Sequence, residues 1–395
     1  MVCKCPKCDG ALEYNPSYAQ MECPYCGSIF SPQATMPEEQ KQIESELSQS
    51  NAALEGNSWV FDAKTAETME CNVYRCTSCG GELLVNGVES STFCAYCGQP
   101  TIVFSRVSKE YKPKYIIPFR VNKQQAMDIF RARTKEFEFA PDVVHNIKPD
   151  MIRGIYVPHF IQDFYYYFKG TYYTKYYSGD RIYLREADCF FKDTYLEAST
   201  QVNDITSQYL QPYHLQDLQP FHVSYMSGFY ADKFDVSDVS NTERYIITID
   251  HMFHRAVRKS VPEKTIHHAD KESKYEIRRS DYVLLPVWFV TFRYNNEPYT
   301  MMINGQTGKI VGSLPIDNGK VFNKVVINSL IALVPSVIVS IILMIFPVYG
   351  LMLVGLILLI LFAVAFAYWY QVKQQVKATK DLTAARYVAQ RQEDT

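Results

Sequence analysis

Cys5-Pro-Lys-Cys8 and Cys23-Pro-Tyr-Cys26 form one four-cysteine cluster near the start of the chain. Cys76-Thr-Ser-Cys79 and Cys94-Ala-Tyr-Cys97 form a second cluster with the same internal spacing. One constant offset in sequence aligns the four cysteines of the first cluster with the four of the second. The same offset aligns the glycines that follow the last cysteine of each cluster. This self-similarity indicates an internal repeat.

The doubled Cys-x-x-Cys spacing predicts two structural zinc sites. Zinc binds four thiolates in a tetrahedron with Zn–S distances of about 2.3 Å. Each Cys-x-x-Cys turn directs two sulfurs at one point, and segments this short need the metal in order to fold. We therefore expect two structural zinc ions as cofactors, one in ribbon 1 (residues 1–30) and one in ribbon 2 (residues 71–103). The predicted ligands are Cys5, Cys8, Cys23, Cys26, Cys76, Cys79, Cys94 and Cys97.

Other chemistry is open to paired cysteines. The alternatives are two disulfide-linked modules or a redox Cys-x-x-Cys motif. Neither cluster has the pattern of three ligands plus water that a catalytic zinc requires. Three cysteines remain outside the repeat and are interpreted as reduced thiols. One of them, Cys3, could compete with Cys5 as a metal ligand. The three are Cys3, Cys71 and Cys189.

The charge of the chain is uneven. The net charge is −2, but residues 1–100 carry five basic side chains against thirteen acidic ones. Binding to nucleic acid depends on neutralising phosphates, so this acidic region disfavours DNA or RNA as a partner. The N-terminus has no apolar segment of the secretory kind, which favours a reducing cytosol for the cysteines.

Two long uncharged segments near the C-terminus predict a transmembrane hairpin over residues 319–371. Val325–Phe346 and Leu351–Tyr368 are each close to the length that spans a bilayer, and Pro347 and Gly350 lie between them. Because lysines flank both ends, we expect a multi-pass protein of the cell (inner or plasma) membrane with both termini in the cytoplasm. The absence of ionisable residues within the spans disfavours ion transport. A basic tail, residues 372–395, follows the hairpin.

The fold class predicted for the whole chain is α+β. Residues 31–70 are expected to be an acidic linker with a spacer helix, so that the ribbons would sit as small modules on an N-terminal arm. Residues 104–318 alternate short runs of Tyr, Phe, Val and Ile with turn residues, which predicts an antiparallel β-rich domain. Helices are predicted at 122–137 and 243–258. A hairpin is predicted with strands at Tyr282–Tyr294 and Pro298–Ile303 and a turn formed by Asn295, Asn296 and Glu297.

Clustered tyrosines and histidines are candidate sites. The tyrosines at 165–167, 172–173 and 176–177 could form a stacking platform for bases or sugars. Strand positions that alternate between core and surface are the favoured interpretation. His251 and His254 could hold a second metal, but their spacing favours surface or hydrogen-bonded histidines.

Several short blocks resemble a family of uncharacterised bacterial membrane proteins that carry a zinc ribbon of the transcription-factor-IIB type. The resemblance covers about residue 71 to the end of the hairpin, and ribbon 1 lies outside it. Some relatives are encoded beside phage-shock-protein-A-like and flotillin-like proteins, so the resemblance implies a membrane anchor or recruiter in envelope-stress assemblies and no catalytic residue. The blocks are Tyr74–Gly81, Phe93–Gly98, Ile117–Phe119, Gly154–Pro158, Ser227–Tyr230, Leu285–Trp288 and Asn304–Lys309.

These observations predict a non-enzymatic scaffold. The protein would assemble protein partners at the cytoplasmic face of the membrane and would itself oligomerise. The resemblance implies that these partners are phage-shock-protein-A-like or flotillin-like. The alternative is a membrane-tethered nucleic-acid-binding protein that uses the ribbons. A third hypothesis is an enzyme hidden in residues 104–318, but the sequence shows no phosphate-binding Gly-rich loop ending in Lys-Ser/Thr and no recognisable triad.

Overall fold

The computed structural model describes residues 3–35, 59–62, 65–85, 93–100, 102–135, 137–174, 181–199, 204–235, 238–261, 267–312 and 314–328, with isolated positions at 337, 341, 366, 370 and 373. The architecture is α+β and rich in strands, with both four-cysteine clusters in its N-terminal part. The strands are β1 (Glu13–Asn15), β2 (Gln20–Glu22), β3 (Ile29–Phe30), β4 (Trp59–Val60), β5 (Thr68–Cys76), β6 (Glu82–Val85), β7 (Ile102–Tyr111), β8 (Tyr115–Ile116), β9 (Ile152–Thr174), β10 (Arg181–Glu197), β11 (Gln219–Pro220), β12 (Tyr230–Asp232), β13 (His267–Tyr294), β14 (Glu297–Asn304) and β15 (Ile310–Gly312). The α-helices are α1 (Lys123–Lys135), α2 (Asp142–His145), α3 (Asp204–Leu210) and α4 (Asp238–Lys259), and residues 318–328 are also helical.

The long antiparallel pair of β9 and β13 forms the centre of the main sheet. From Ile152↔Val290 at one end to Tyr173↔His267 at the other, their ladder runs nearly the full length of β9. One part of the sheet follows the order β11-β8-β13-β9-β12-β6-β5-β7, and β10 also pairs with β9. β9 is buried on both faces over residues 154–162 and alternates between buried and more exposed positions over residues 163–174. A slip of one residue in that second half would turn its buried side chains to solvent, which fixes the register.

The predicted hairpin is confirmed. β13 and β14 pair from Val287↔Asn304 to Tyr294↔Glu297. The turn consists of Asn295 and Asn296 and is one residue shorter than predicted, because Glu297 pairs with Tyr294 as the first residue of β14. Both asparagines have positive φ, 51° and 66°, as a two-residue type I′ turn requires.

Both predicted helices form. The first, α1, begins with reciprocal capping, because Asn122 Oδ1 accepts from the Gln125 amide and Gln125 Oε1 accepts from the Asn122 amide, each at 2.8 Å. Its buried face includes Phe130. The second, α4, runs from 238 to 259 and packs Ile246 and Ile249 against β9.

The ribbons are built into the structure rather than held on an arm. The strands of ribbon 2, β5 and β6, join the main sheet through β12, and the proposed boundary at 103/104 falls inside β7. In the predicted linker, Phe61 packs among the rings of Tyr111, Phe160 and Tyr282. The difference arises because this part of the chain carries apolar side chains that gain free energy by joining the core.

The predicted spacer helix in 31–70 and the predicted membrane hairpin lie almost entirely outside the described residues, as does the basic tail. Within the described part of the chain, no helix combines the length and the hydrophobicity needed to cross a bilayer.

Candidate metal centres

The four cysteines of ribbon 1 converge on one point. The Sγ atoms of Cys5 and Cys26 lie 3.6 Å apart, and those of Cys8 and Cys23 lie 3.4 Å apart. All four Sγ atoms lie within 4.8 Å of one another. Cys5 and Cys23 are buried against the protein, whereas Cys8 and Cys26 are exposed.

The second site has the same arrangement in a more buried setting. The Sγ atoms of Cys76 and Cys97 are 3.6 Å apart, and those of Cys79 and Cys94 are 3.7 Å apart. Cys79 is partly exposed and its three companions are buried.

The sulfur positions fit a metal ion such as zinc. Four thiolates about 2.3 Å from a central zinc form a tetrahedron with edges of about 3.8 Å, close to the separations in both sites. A disulfide would bring two sulfurs to about 2.05 Å, and all eight cysteines are free thiols. Each group of four could therefore hold one metal ion, which agrees with the predicted ligand sets.

Backbone hydrogen bonds shape all four Cys-x-x-Cys turns in the same way. The amide of the first cysteine donates to the carbonyl five residues on, and the amide four residues on donates back to that cysteine, at 2.7–2.9 Å. The residue four positions after the first cysteine has a positive φ in every turn. In three of the turns this residue is glycine, which adopts a positive φ without strain. In the first turn of ribbon 1 this position is occupied by Asp9 rather than by glycine. These residues are Asp9, Gly27, Gly80 and Gly98.

Strands β13 and β14 hold the second turn of ribbon 2. The hydroxyl of Thr291 donates to the carbonyl of Ala95, and that of Thr300 donates to the carbonyl of Tyr96 at 3.3 Å. Arg293 Nη1 donates to the carbonyl of Cys97 at 3.2 Å. The second cysteine turn of ribbon 2 is thus tied to strands about 200 residues away in the chain.

An ionic contact holds the first half of ribbon 2. The guanidinium of Arg106 donates two hydrogen bonds to Glu82, at 2.8 and 2.9 Å, and Lys233 donates a third at 3.1 Å. The hydrogen bonds from Arg106, followed by that from Lys233, lower the pKa of Glu82 to about 2. This carboxylate therefore links β6 to β7 and to the end of β12.

Ribbon 1 packs one face of its small sheet on the main domain. Cross-strand neighbours Tyr14, Met21 and Phe30 share this inner face. The ring of Tyr14 contacts the ring of Tyr225 with centroids 5.4 Å apart, and its amide donates to the carbonyl of Ser227 at 3.0 Å.

The opposite face of ribbon 1 points to solvent. Glu13, Glu22 and Ile29 are paired positions on this outer face, and Ile29 is 50% exposed. Tyr18 donates a hydrogen bond to Glu22, which lowers the pKa of that carboxyl and raises the pKa of the phenol. In the second cysteine turn the side chain of Tyr25 is 76% exposed. We call Tyr18, Glu22, Tyr25 and Ile29 the ribbon 1 surface.

Three cysteines lie outside both sites. Cys71 is buried, and burial together with nearby Glu110 raises the pKa of its thiol to about 11. Burial also raises the pKa of Cys3, and Cys189 is half-buried on β10. Among the described residues, none of the three belongs to a group that could hold a metal ion.

The histidine and tyrosine clusters take structural roles. The ring of His254 lies 3.1 Å from the hydroxyl of Tyr172, and His251 is exposed. Asp250 accepts from Tyr166 at 2.8 Å and from Lys271. Within the described chain these histidines join no metal-ligand group. Within β9 the tyrosines alternate between buried positions (166 and 172) and exposed or partly exposed ones (165, 167 and 173), so the favoured interpretation is confirmed there. The tyrosines at 176 and 177 lie outside the described residues.

A buried serine–histidine pair, not foreseen from sequence, joins α3 to β9. The Nε2 atom of His159 lies 2.8 Å from Ser207 Oγ, and its Nδ1 lies 3.1 Å from the Val157 carbonyl. The carbonyl contact fixes the proton on Nδ1, so Nε2 accepts from the serine hydroxyl. Burial lowers the pKa of His159 to about 4, which makes it a weak base at neutral pH. The two residues are 48 positions apart, so spacing gave no signal.

Blocks that carried the sequence resemblance meet in one aromatic cluster of the core. The rings of Phe119 and Phe229 stack with centroids 4.3 Å apart, and Trp288 lies 5.1 Å from Phe119. Tyr156 packs edge-on to Phe119 at 4.9 Å. A Cβ on Gly154 or Gly305 would lie 2.5 Å from one of these rings. The residue pattern of these blocks is therefore explained by packing.

A small cleft of about 190 Å³ lies beside the second cysteine turn of ribbon 2. Its wall is mostly apolar and includes Phe93, Met151 and Phe292, with Arg153 and Arg293 among its polar residues. Both guanidinium groups already donate to main-chain carbonyls, of Ile152 and Cys97 respectively. The contact of Arg293 belongs to the packing of ribbon 2, whereas Arg153 donates to its neighbour within β9.

The chain is similar to an uncharacterised protein of Bacillus subtilis (strain 168), YdjG. The two are 29% identical over 235 residues, which cover 56% of this chain and 69% of YdjG. No protein-family model and no solved structure matches the chain.

Proposed function

We propose that this protein is a membrane-anchored, non-enzymatic adaptor that binds a protein partner through the ribbon 1 surface. Zinc would occupy both cysteine sites. The apolar segments of residues 319–371 would anchor the chain, with the ribbons at the cytoplasmic face of the membrane.

The difference between the two metal sites carries this proposal. Ribbon 2 is enclosed by β13 and β14, so its metal supports the domain. Ribbon 1 packs only one face and leaves Tyr25 and Ile29 exposed on a frame that a metal ion would hold rigid. A rigid, partly apolar surface binds with a small loss of conformational entropy.

The charge of this surface supports a protein partner rather than a nucleic acid. Glu13 and Glu22 share the outer face with Ile29, and hydrogen bonds hold Glu22 in its ionised form. A phosphate backbone would be repelled there. The matching partner surface is apolar with basic residues at its rim.

The sequence resemblance suggests which partners to look for. Phage-shock-protein-A-like and flotillin-like proteins would be recruited to the membrane during envelope stress. Because ribbon 1 lies outside the resemblance, it would add a partner or a specificity that proteins with one ribbon lack.

The decisive experiment is capture of full-length tagged protein from its native membrane in mild detergent. We expect a stoichiometric protein partner with the wild type. The Tyr25→Ser/Ile29→Ser variant should capture at least tenfold less of this partner while retaining both metal ions. The control is Val103→Ser/Val107→Ser on β7, which changes two other exposed apolar residues and should retain the partner.

Two results would overturn the proposal. One is a partner that remains bound when the ribbon 1 surface is changed. The other is co-purification of nucleic acid whose binding falls steeply between low and physiological salt, which is the mark of phosphate contacts and would favour the alternative function.

A further inference from the structure

The two cysteine sites share one spacing but differ in how far solvent reaches their ligands. In ribbon 1 the side chains of Cys8 and Cys26 are exposed, one in each Cys-x-x-Cys turn. In ribbon 2 three ligands are buried and Cys79 is partly exposed. Because the spacing of the two clusters is identical, this difference comes from the way each ribbon packs on the main domain.

The contacts around the cysteine turns differ in the same direction. Among the hydrogen bonds of the described residues, those in the second turn of ribbon 1 are local. The Cys23 amide donates to the Ser28 carbonyl and the Gly27 amide donates to the Cys23 carbonyl, each at 2.9 Å. The corresponding turn of ribbon 2 is also held by side chains of β13 and β14. Ribbon 1 can therefore change its sulfur chemistry without breaking contacts of this kind with the main sheet.

Exposed metal-binding cysteines are nucleophiles. A cysteine must be deprotonated to bind a metal ion, and the thiolate is the form that reacts with an oxidant. Sensitivity to oxidation follows thiolate character and solvent access. With zinc in both sites, as proposed above, Cys8 and Cys26 combine these two properties, whereas the buried ligands Cys76, Cys94 and Cys97 lack solvent access.

Each exposed cysteine of ribbon 1 has a buried cysteine beside it. The Sγ atoms of Cys8 and Cys23 lie 3.4 Å apart, and those of Cys26 and Cys5 lie 3.6 Å apart. The sulfurs of a disulfide are about 2.05 Å apart, so a shift of about 1.5 Å would join either pair. Each pair thus has one sulfur that an oxidant can reach and a second sulfur that can complete a disulfide.

From these observations we infer that ribbon 1 is a site of reversible oxidation by hydrogen peroxide. The thiolate of Cys8 attacks one oxygen of the peroxide, so that a sulfenic acid forms, the O–O bond breaks and hydroxide leaves. The thiolate of Cys23 then attacks the Cys8 sulfur, forms the disulfide and displaces a second hydroxide. The two thiolates lose two electrons, and the peroxide is reduced to two hydroxide ions. The pair of Cys26 and Cys5 offers the same chemistry.

Oxidation would remove half of the ligand set of ribbon 1. Two sulfurs joined in a disulfide no longer carry the thiolate charge that binds zinc, so the site loses its metal ion. Metal binding supplies much of the folding free energy of a segment this small, so the ribbon 1 surface loses its rigid frame. The inference rests on the proposed function for its last step, which is release of the partner while ribbon 2 keeps its metal.

The test uses the full-length protein with two zinc ions, purified in mild detergent and free of partner. Released zinc is followed with a chromogenic chelator, with and without a small excess of hydrogen peroxide, and disulfides are mapped by mass spectrometry of unreduced peptides. We expect peroxide to accelerate the release of one zinc ion at least tenfold over chelator alone, together with a Cys8–Cys23 or a Cys5–Cys26 disulfide. The second zinc ion should stay bound over the same time. A thiol reductant with added zinc should restore the original metal content.

Two variants identify the reacting sulfurs. Cys8→His/Cys26→His keeps a ligand set of two cysteines and two histidines, which zinc accepts, but it has no exposed thiolate in ribbon 1. Peroxide should therefore no longer accelerate zinc release from this variant. Cys3→Ser/Cys189→Ser changes two partly exposed cysteines outside the sites and should release zinc as the wild type does. If the histidine variant does not bind two zinc ions, the disulfides mapped in the wild type decide the question.

The inference is overturned if peroxide releases both zinc ions at the same rate or does not accelerate release. It is also overturned if zinc leaves without a disulfide in ribbon 1, or if Cys3→Ser/Cys189→Ser abolishes the effect. Partner capture with the oxidised protein is a separate measurement, in which recovery should fall at least tenfold. A partner that stays bound to oxidised ribbon 1 would refute control of binding by oxidation. Absence of a partner from the reduced protein would instead count against the proposed function and leave the oxidation site standing.

Discussion

The phenol of Tyr96 donates a 2.7 Å hydrogen bond to the buried carboxylate of Asp232, 136 residues further along the chain. The other carboxylate oxygen of Asp232 accepts from Ser199 at 2.5 Å. Tyr96 lies between Cys94 and Cys97, so this contact fastens a metal-binding turn to β12. It makes ribbon 2 a part of the domain.

Removal of that phenol should destabilise the domain without removing a metal ligand. For Tyr96→Phe we expect the free energy of unfolding to fall by about 1.5–3 kcal/mol, since a hydrogen bond to a buried carboxylate is lost. Thermal unfolding of the full-length protein in detergent measures the change. Tyr25→Phe, at an exposed phenol, should leave the unfolding temperature unchanged, and an equal shift in both variants would contradict this role.

The two metal sites should release metal at different rates. Cys8 and Cys26 are exposed, whereas three ligands of the second site are buried, so a chelator reaches the first site more readily. We expect one equivalent to leave at least tenfold faster than the other when metal content is followed over time by elemental analysis. Loss of both equivalents of metal at a single rate would show that the burial of the cysteine ligands does not govern metal release.

Ligand substitutions should separate the structural roles of the ribbons. Cys26→Ser is expected to reduce metal content to one ion per chain and leave the main domain folded. Cys97→Ser should lower the unfolding temperature of the whole domain, because the carbonyl of that residue and its neighbours contact β13 and β14. Metal content and thermal unfolding are the two measurements that the comparison needs. Unfolding of the main domain in Cys26→Ser would refute the predicted separation of roles.

Acid should destabilise the protein partly through His159. Burial lowers the folded-state pKa of this imidazole to about 4, below the value of about 6.5 in an unfolded chain. The unfolded state therefore binds the proton more tightly, so the contribution of His159 is fully present above about pH 6.5 and declines as the pH falls towards 4. The expected slope is about 1.4 kcal/mol per pH unit within that window.

His159→Gln provides the control for this pH dependence. The amide can occupy part of the same pocket but does not titrate, so the variant should lose less stability between pH 6.5 and pH 5 than the wild type does. Metal content must be measured at each pH, because thiolate ligands also bind protons. Parallel curves for the two proteins would exclude His159 as a source of acid sensitivity.

The aromatic cluster should tolerate no added volume at Gly154. A Cβ there would lie 2.5 Å from the ring of Phe229 and 3.2 Å from that of Phe119. We expect Gly154→Ala to cost about 1–3 kcal/mol of stability, as overpacking of a core does. Combining it with Phe229→Leu should cost less than the sum of the two single changes, since the smaller side chain makes room, and simple additivity would argue against the clash.

The sequence by itself determined the two metal sites. Spacing alone identified Cys5 and Cys97 as members of separate four-thiolate groups, because a tight Cys-x-x-Cys turn is a local structure. Local patterning also predicted the hairpin at Asn295 and Asn296 and the helix after Asn122. In each case neighbouring residues supply the hydrogen bonds and the backbone preference.

Only the tertiary structure decided how the two similar ribbons are used. It buried Cys76 and Cys94 beneath β13 and β14, and it left Tyr25 and Ile29 in solvent. The contacts that only the tertiary structure shows, such as that of Tyr96 with Asp232 and that of His159 with Ser207, join residues that are distant in sequence. No periodicity records such contacts, because they arise from the free energy of packing whole elements together rather than from the conformational preferences of any one segment.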